Sequence, residues 1–401
     1  MLTDSLNGIQ VLDLSHVVAG PVCGMLLGDM GADVVKIEPI GGELGRRIGP
    51  PYVQGESVVA LSVNRNKRGL AIDLKATEGQ QVLQHMAARA DVLIESFRPG
   101  VMQRLGLDAP ALLQLQPKLV YCSISAFGQT GPWHARAGVD GIVQAVAGLM
   151  SAIGSEHSDP LKVSVPVADM TTGYLATIGI LGALHKVRAG GAGQHLDVSL
   201  YNATLMLQQV GLAFFLATGE EPRKTGSAAP YAAPNEAFPT ADGWIMVAAY
   251  QPERWSALCS VLDMPALRDD PRFADNSARV ANRPALQELL GAALRRHDTA
   301  HWLARLDAAD ILCAPIAGYR EVAASAQYRH SGIETCLQHP VAGSLRMPGF
   351  GLAGPAATAA PAAPPPLVGQ HSVQVLAEYG IPGTTIQTLL ARGVVAAGAA
   401  F

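Results

Sequence analysis

Residues 8–39 read GIQVLDLSHVVAGPVCGMLLGDMGADVVKIEP, and their order decides the fold. GIQVLDLS is a short apolar run of the kind a fully buried strand shows. HVVAGP follows as a loop, VCGMLLGDMG as a short helix, and ADVVKIEP as a second strand. Two buried strands joined by a helical crossover make a βαβ unit, which implies a parallel sheet covered by helices.

The rhythm continues outward. RGLAIDL (68–74), DVLIESF (91–97) and KLVYCSISAFG (118–128) read as further strands, with the helix TEGQQVLQHMAARA (77–90) between the first two. Thr77 is the expected N-cap of that helix, with Glu78 in its first turn. The expected fold class is therefore α/β, with a Rossmann-like large domain built on a parallel sheet. At 221–237 the texture changes to EPRKTGSAAPYAAPNEA, a crossing into a smaller α+β domain that opens on the hairpin pattern PTADGWIMVAA (239–249). Helices are expected near 253–262 and 283–296. GLAGPAATAAPAAPPPLVG (351–369) is low in complexity and reads as an extended connection. HSVQVLAEYG and the helix TTIQTLLARG close the chain.

Composition narrows the function. Of 401 residues, 49% are hydrophobic and 15% charged, which suits a large packed core rather than a disordered chain. A net charge of -4 gives no support for nucleic-acid binding. The start MLTDSLNGIQ lacks the apolar segment of a signal peptide. The greasy run Leu175–Leu184, broken by Gly179 and Gly182, is too short to span a bilayer. Five scattered cysteines (Cys23, Cys122, Cys259, Cys313, Cys336), never in a CxxC pair, fit a reducing compartment and argue against a zinc site or a disulfide frame. A cytoplasmic protein is expected, with no membrane or nucleic-acid partner and no metal.

Several chemistries fall away. Glu38 ends the second strand where a ribose-binding acid would sit, but the first turn, SHVVAGPVCG, lacks GxGxxG. No GxSxG, HExxH or GK dipeptide occurs. Basic residues cluster instead in GRRIG (45–49), NRNKRG (64–69) and FRPGVMQRLG (97–106). Any one cluster reads as solvated surface. Three within one α/β layer point to a phosphate-bearing ligand beyond the carboxyl ends of the strands.

The last signal is VPVADMTTGYL (165–175), where Asp169 is the lone acid before a long apolar helix. Asp is a preferred N-cap, so capping alone accounts for it. A carboxylate there is also held ionised by the backbone N–H groups and the helix dipole, and the same groups could stabilise an oxyanion. Gly173 keeps the first turn uncrowded, while His185, Lys186 and Arg188 complement the far end and GGAG stops it.

Taken together, residues 6–39, NRNKRGLAIDLK (64–75), ADVLIESFRPGVMQRLGL (90–107), VDGIVQAVAGLMS (139–151), GAGQHLDVSLYNA (191–203) and LVGQHSVQVLAEYGI (367–381) resemble the family III CoA-transferases, a family related to α-methylacyl-CoA racemase. The resemblance implies a large domain built from both chain ends, a smaller inserted domain, and an interlocked homodimer. It divides the chain into 1–205 (large domain, first part), 206–225 (crossing linker), 226–325 (small domain), 326–350 (return linker) and 351–401 (completing the large domain).

By the same resemblance, Asp169 is the catalytic carboxylate, acting through an aspartyl mixed anhydride and an aspartyl-CoA thioester. CoA contacts fall on His16, Val17, Val18, Leu74, Lys75, Ser96, Phe97, Arg98 and Arg104. Singly, His16 also reads as a satisfied buried histidine and Arg104 as a helix-surface charge. The substrates implied are an acyl-CoA, with succinyl-CoA a first guess as donor, and a carboxylic acid. Coenzyme A enters as a substrate thioester, with no tightly bound cofactor. Three positions depart from the formyl-CoA enzyme, which has glutamine, lysine and tyrosine where this chain has Val18, Ala137 and Val139; its glycine-rich flap is also absent. Racemases place a histidine at the position of Val139, as one of two bases. A racemase of the same fold and a CoA-binding protein without catalysis are the competing readings.

Overall fold

The computed structural model describes residues 2–352 and 362–398. They group into two compact units, one of residues up to 149, 163–212 and 326 onward, the other of 150–162 and 213–325. The sequence alone places no break at 150–162.

The first unit holds a seven-stranded sheet. Its parallel strands are β1 (Gln10–Leu14), β2 (Asp33–Glu38), β3 (Lys67–Ile72), β4 (Val92–Glu95), β5 (Val120–Ser125) and β6 (Gln194–Ser199). They lie in the order β3-β2-β1-β4-β5-β6, and a short antiparallel strand, Val395–Ala396, adds to the edge of β3. The order reverses between β1 and β4. Their following loops diverge there and open a crevice at the carboxyl edge of the sheet.

Period-2 alternation gives each face its own core. Leu12, Val35, Leu70 and Leu93 face one side with the helix Thr77–Ala87 and the C-terminal helices Ser372–Glu378 and Gly383–Ala391. Val11, Val34, Val92 and Val120 face the other, under α1 (Ala19–Asp29) and α2 (Val167–Arg188).

α2 is long and apolar enough, by length and composition alone, to cross a membrane. Here Ala168, Thr172, Ala176, Ile180, Ala183 and Leu184 are buried at helical spacing against the sheet core and α1. A Cβ on Gly173 would lie 2.7 Å from the Ala19 carbonyl oxygen and 2.8 Å from Val22 Cγ1, so glycine is what lets the helices approach. The three basic residues of the last turn and Gly190, at φ +91°, end α2 as the sequence implies.

The second unit carries a three-stranded antiparallel sheet of Asn235–Pro239, Trp244–Ala248 and Leu312–Pro315. The first two strands are the expected hairpin, and the helices Pro252–Val261 and Arg283–Leu294 pack with them around Trp255, Phe273 and Leu290. The protein is thus a mixed α/β fold with one large, mostly parallel sheet and several small ones.

Three local expectations need correction. Ala76, not Thr77, occupies the N-cap position, and Thr77 is the first helical residue; the Asp73 carboxylate accepts the Lys75 N–H at 2.9 Å and turns the chain early. Ala19–Pro21 belong to α1, so the loop after β1 is only Ser15–Val18. Asp169 is the third residue of α2, not its cap, because the helix begins at Val167 with Pro166 before it. Of the connection expected over 351–369, residues 353–361 lie outside the described residues.

Candidate active site

The loop after β1 rests on buried charge. Asp13, Lys36 and Lys67 stand on three adjacent strands, each fully buried or nearly so. Lys67 Nζ donates to Asp13 Oδ2, Pro21 O and Asn64 Oδ1, each at 2.8 Å. Lys36 Nζ donates to the Ser15 carbonyl, and Asp13 Oδ1 accepts the Ser15 N–H at 2.9 Å. Burial pushes the Lys67 ammonium down to about 8, against the pull of Asp13. Burial alone would raise the Asp13 carboxyl, but Lys36 and Lys67 hold it below the usual range.

The loop itself is strained. Val17 is a β-branched residue at φ +66°, a left-handed conformation that costs roughly 1–2 kcal/mol. Glu43 holds it there: its Oε2 accepts the Val17 N–H at 3.1 Å and the Gly45 N–H at 2.5 Å. Glu43 is 6% exposed, and its Oε1 has no hydrogen-bond partner among the described residues.

Beyond the ends of β1 to β4 lies a cavity of about 380 Å³, within the range of small-molecule sites. Leu14, Ile37, Ile72 and Leu105 supply apolar wall; His16, Glu43, Arg47, Asp73 and Lys75 supply polar groups. Leu74 and Phe97 also line it, so four of the expected CoA contacts, His16, Leu74, Lys75 and Phe97, converge here. Ser96 acts through His16, with Oγ 2.9 Å from its Nδ1. Burial, the largest influence, holds the His16 imidazole below its ordinary pKa.

The remaining expected contacts stand elsewhere. Val18 is buried, and it packs with Val17, Val22, Val63 and Met170 rather than on the cavity wall. Arg98 and Arg104 are exposed and outside the wall. NRNKRG is structural: Arg65 pairs with Asp29, Lys67 with Asp13, and Arg68 with Asp33 and Glu378. In GRRIG, Arg46 binds both oxygens of Glu38 at 2.7 Å, which also removes Glu38 as a ribose acid; only Arg47 reaches the cavity. Glu43 and Asp73 carry no motif of their own in the sequence: GGELG matches no pattern, and Asp73 lies at the end of the strand RGLAIDL.

Asp169 is half-buried in the first turn of α2. It is not on the cavity wall, but Met170 beside it packs against the small apolar cluster of Val18, Val22 and Val63, as Val17 does. The Ser15–Val18 loop therefore faces the cavity with His16 and the start of α2 with its two valines. The Asp169 carboxylate thus stands at a helix N-terminus, where anionic charge is favoured. Among the described residues, no group of three His, Cys, Asp or Glu is placed to hold a metal ion.

The chain matches a family model described as CoA-transferase family III over residues 6–372. The succinyl-CoA:glutarate CoA-transferase of Mus musculus is 35% identical over 392 residues, covering 97% of this chain and 90% of the relative. The acetyl-CoA:oxalate CoA-transferase of Acetobacter aceti is 38% identical over 318 residues, covering 79% of this chain and 82% of the relative. Among solved structures, a crystal structure of a CaiB/BaiF family protein from Brucella suis aligns with a TM-score of 0.82 at 33% identity, covering 93% of this chain and 98% of that one.

Proposed function

Because the chain belongs to CoA-transferase family III, and so is an enzyme moving CoA between an acyl-CoA and an acid, we propose that Asp169 carries the transfer covalently between short dicarboxylic acids. The observation that carries this reading is the placement of a carboxylate in the first turn of a long helix with one buried face, near the loop that walls the cavity.

The Asp169 carboxylate attacks the thioester carbonyl and expels CoA thiolate, leaving a mixed anhydride. The thiolate attacks the aspartyl carbonyl of that anhydride, releasing the donor as its carboxylate and leaving an aspartyl-CoA thioester. The acceptor carboxylate then attacks the aspartyl carbonyl, giving a second anhydride and thiolate. Attack of the thiolate on the acceptor's carbonyl yields the new acyl-CoA and restores Asp169. No step consumes water, so the thioester energy is conserved while water is excluded.

His16, Leu74, Lys75, Phe97 and Arg47 hold the nucleotide end of CoA, with the cations facing its phosphates and Phe97 its adenine. Succinyl-CoA and glutarate are the first pair to test, from the similarity to the glutarate enzyme. Val139 has no proton to move, so no two-base racemase pair with Asp169 forms. The chain works as an interlocked homodimer; the exposed Val139, Ile142, Ile178, Met206 and Val210 of the first unit support burial against a second copy. Five free cysteines support a reducing, cytoplasmic setting.

The test is direct. The enzyme is incubated with succinyl-CoA, quenched with hydroxylamine, and the modified residue located by mass spectrometry. A hydroxamate at Asp169, absent from Asp169→Ala, is expected. Acyl exchange that survives Asp169→Ala would overturn the mechanism. A panel of dicarboxylic acids then identifies the acceptor.

A further inference from the structure

α2 begins without a cap of its own. Pro166 precedes it and offers no side-chain acceptor, yet the first-turn N–H groups of a buried helix need partners. The Met170 N–H reaches Pro166 O at 2.9 Å, the first regular helical bond, and the Val167 N–H turns back on Val165 O at 2.7 Å. The Ala168 N–H is satisfied from elsewhere: Asp140 Oδ1, 28 residues upstream, accepts it at 2.8 Å.

Asp140 is suited to this. It is the first residue of the helix Asp140–Val146, where its charge suits that helix's own dipole, and it is 7% exposed. Its other oxygen accepts Gln144 Nε2, one turn along, at 2.7 Å. Gln144 is fully buried and grips the chain leading into α2 at two points. Its Oε1 accepts the Val163 N–H at 3.0 Å, and its Nε2 donates to Val163 O at 3.2 Å. Asp140 and Gln144 thus hold the segment from Val163 to Ala168 at both ends, and the next residue is Asp169.

We infer that Asp140, braced by Gln144, is a positioning residue for the Asp169 nucleophile: it supplies the missing cap of α2 and fixes where the first turn presents that carboxylate. The inference rests on the covalent reading above. Attack on a thioester demands a narrow approach, and a displacement near 1 Å costs about 100-fold in rate. Losing a brace that acts only on Asp169 slows the chemical step without weakening CoA binding, whose cavity lies beyond the ends of β1 to β4.

Two variants and two readouts test this. Asp140→Ala removes the cap. The double variant Asp140→Asn, Gln144→Glu keeps the cap: Asn Oδ1 accepts the Ala168 N–H and its amide donates to the new carboxylate, which still accepts the Val163 N–H but loses the donation to Val163 O. Steady-state kinetics, the rate of hydroxylamine-trapped Asp169 adduct, and amide hydrogen exchange over 163–172 are measured for each. In Asp140→Ala, kcat and adduct formation are expected to fall about 10- to 100-fold, with KM for the acyl-CoA within about threefold. Exchange should quicken in that segment, and the double variant, which keeps the cap on Ala168, should recover part of the rate. Adduct formation as fast as wild type in Asp140→Ala overturns the inference, as does a change confined to KM. Should Asp140→Ala not fold, the double variant decides: a folded double variant as slow as expected for the alanine overturns it. A wild-type enzyme that forms no adduct at Asp169 instead sinks the covalent reading itself, so the two failures are distinct.

Discussion

His16 and Ser96 tie together the two loops that leave the centre of the sheet. The Ser96 hydroxyl oxygen accepts the His16 backbone N–H at 2.9 Å and lies 2.9 Å from His16 Nδ1. A hydroxyl offers one proton and two lone pairs, so Ser96 Oγ serves the His16 backbone and ring together. Burial keeps the ring neutral, which preserves that arrangement. Ser96→Ala deletes both contacts at the point where β1 and β4 part. KM for the acyl-CoA should rise about three- to tenfold, in line with a lost bond of about 1 kcal/mol, while kcat moves less. A KM equal to wild type would show that the loops hold their places without the tie.

Gly173 tests the seat of α2. An added methyl would sit 2.7 Å from a backbone oxygen of Ala19 and 2.9 Å from Val22 Cβ, neither of which is the free end of a flexible side chain. Gly173→Ala gains helix propensity on paper, about 1 kcal/mol. Overpacking of about 1–3 kcal/mol opposes it, and relief moves α2 off α1 and Asp169 with it. The expected result is lower thermal stability together with a loss of activity larger than the loss of folded protein. A variant more stable than wild type with full activity would refute the tight approach.

Removing Asp13 leaves two buried ammonium groups with no carboxylate between them. Breaking one side of a buried pair costs about 3–5 kcal/mol, so Asp13→Ala should be strongly destabilised in urea unfolding. The pH dependence is more specific. Lys67 has a folded pKa near 8, below its ordinary 10.5, so the folded state binds fewer protons than the unfolded one between those values, and stability rises with pH there. Without Asp13 the Lys67 pKa falls further and the window extends below 8. Asp13→Ala should therefore regain stability relative to wild type between pH 6 and pH 8. A constant deficit over that range would contradict the charge account.

The parallel sheet was legible because strands buried on both faces write themselves as mostly apolar runs, as in VLDL and VVKI, where Asp13 and Lys36 are the exceptions. Asp169 was legible because a lone acid stands out before an apolar helix. Its exact place in the helix was not, since the choice of start depends on Asp140 reaching back across 28 residues to hold Ala168. NRNKRG misleads for a related reason: a cation in a ligand loop and a cation buried under one look alike in sequence. Lys67 and Arg65 are distinguished only by Asp13 and Asp29, contributed by β1 and by the end of α1. Glu43 had no signal of its own, because its role is set by the strained backbone of Val17.

Glu95 gives the last prediction. It ends β4 at 3% exposure, one residue before the Ser96 tie, and its Oε2 accepts the Phe97 N–H at 2.8 Å. Burial raises its pKa to about 7 despite hydrogen bonds from Ser123 and Phe97. A raised carboxyl pKa means that the folded state holds a proton the unfolded state has lost between pH values near 4.5 and 7. Stability from this group is complete below that window and falls as pH rises through it. Wild-type protein should lose on the order of 2 kcal/mol from this source between pH 5 and pH 8, at about 1.4 kcal/mol for each unit of pKa difference. Glu95→Gln carries no charge in either state, so its unfolding free energy should lack that share of the slope. Urea unfolding of both proteins at pH 5 and pH 8 measures the difference directly, because every other titrating group is common to the pair. Parallel slopes would place the Glu95 carboxyl at an ordinary pKa. The expected divergence would instead show that the loop from Glu95 through Phe97 is held by a carboxyl that is half protonated near neutral pH.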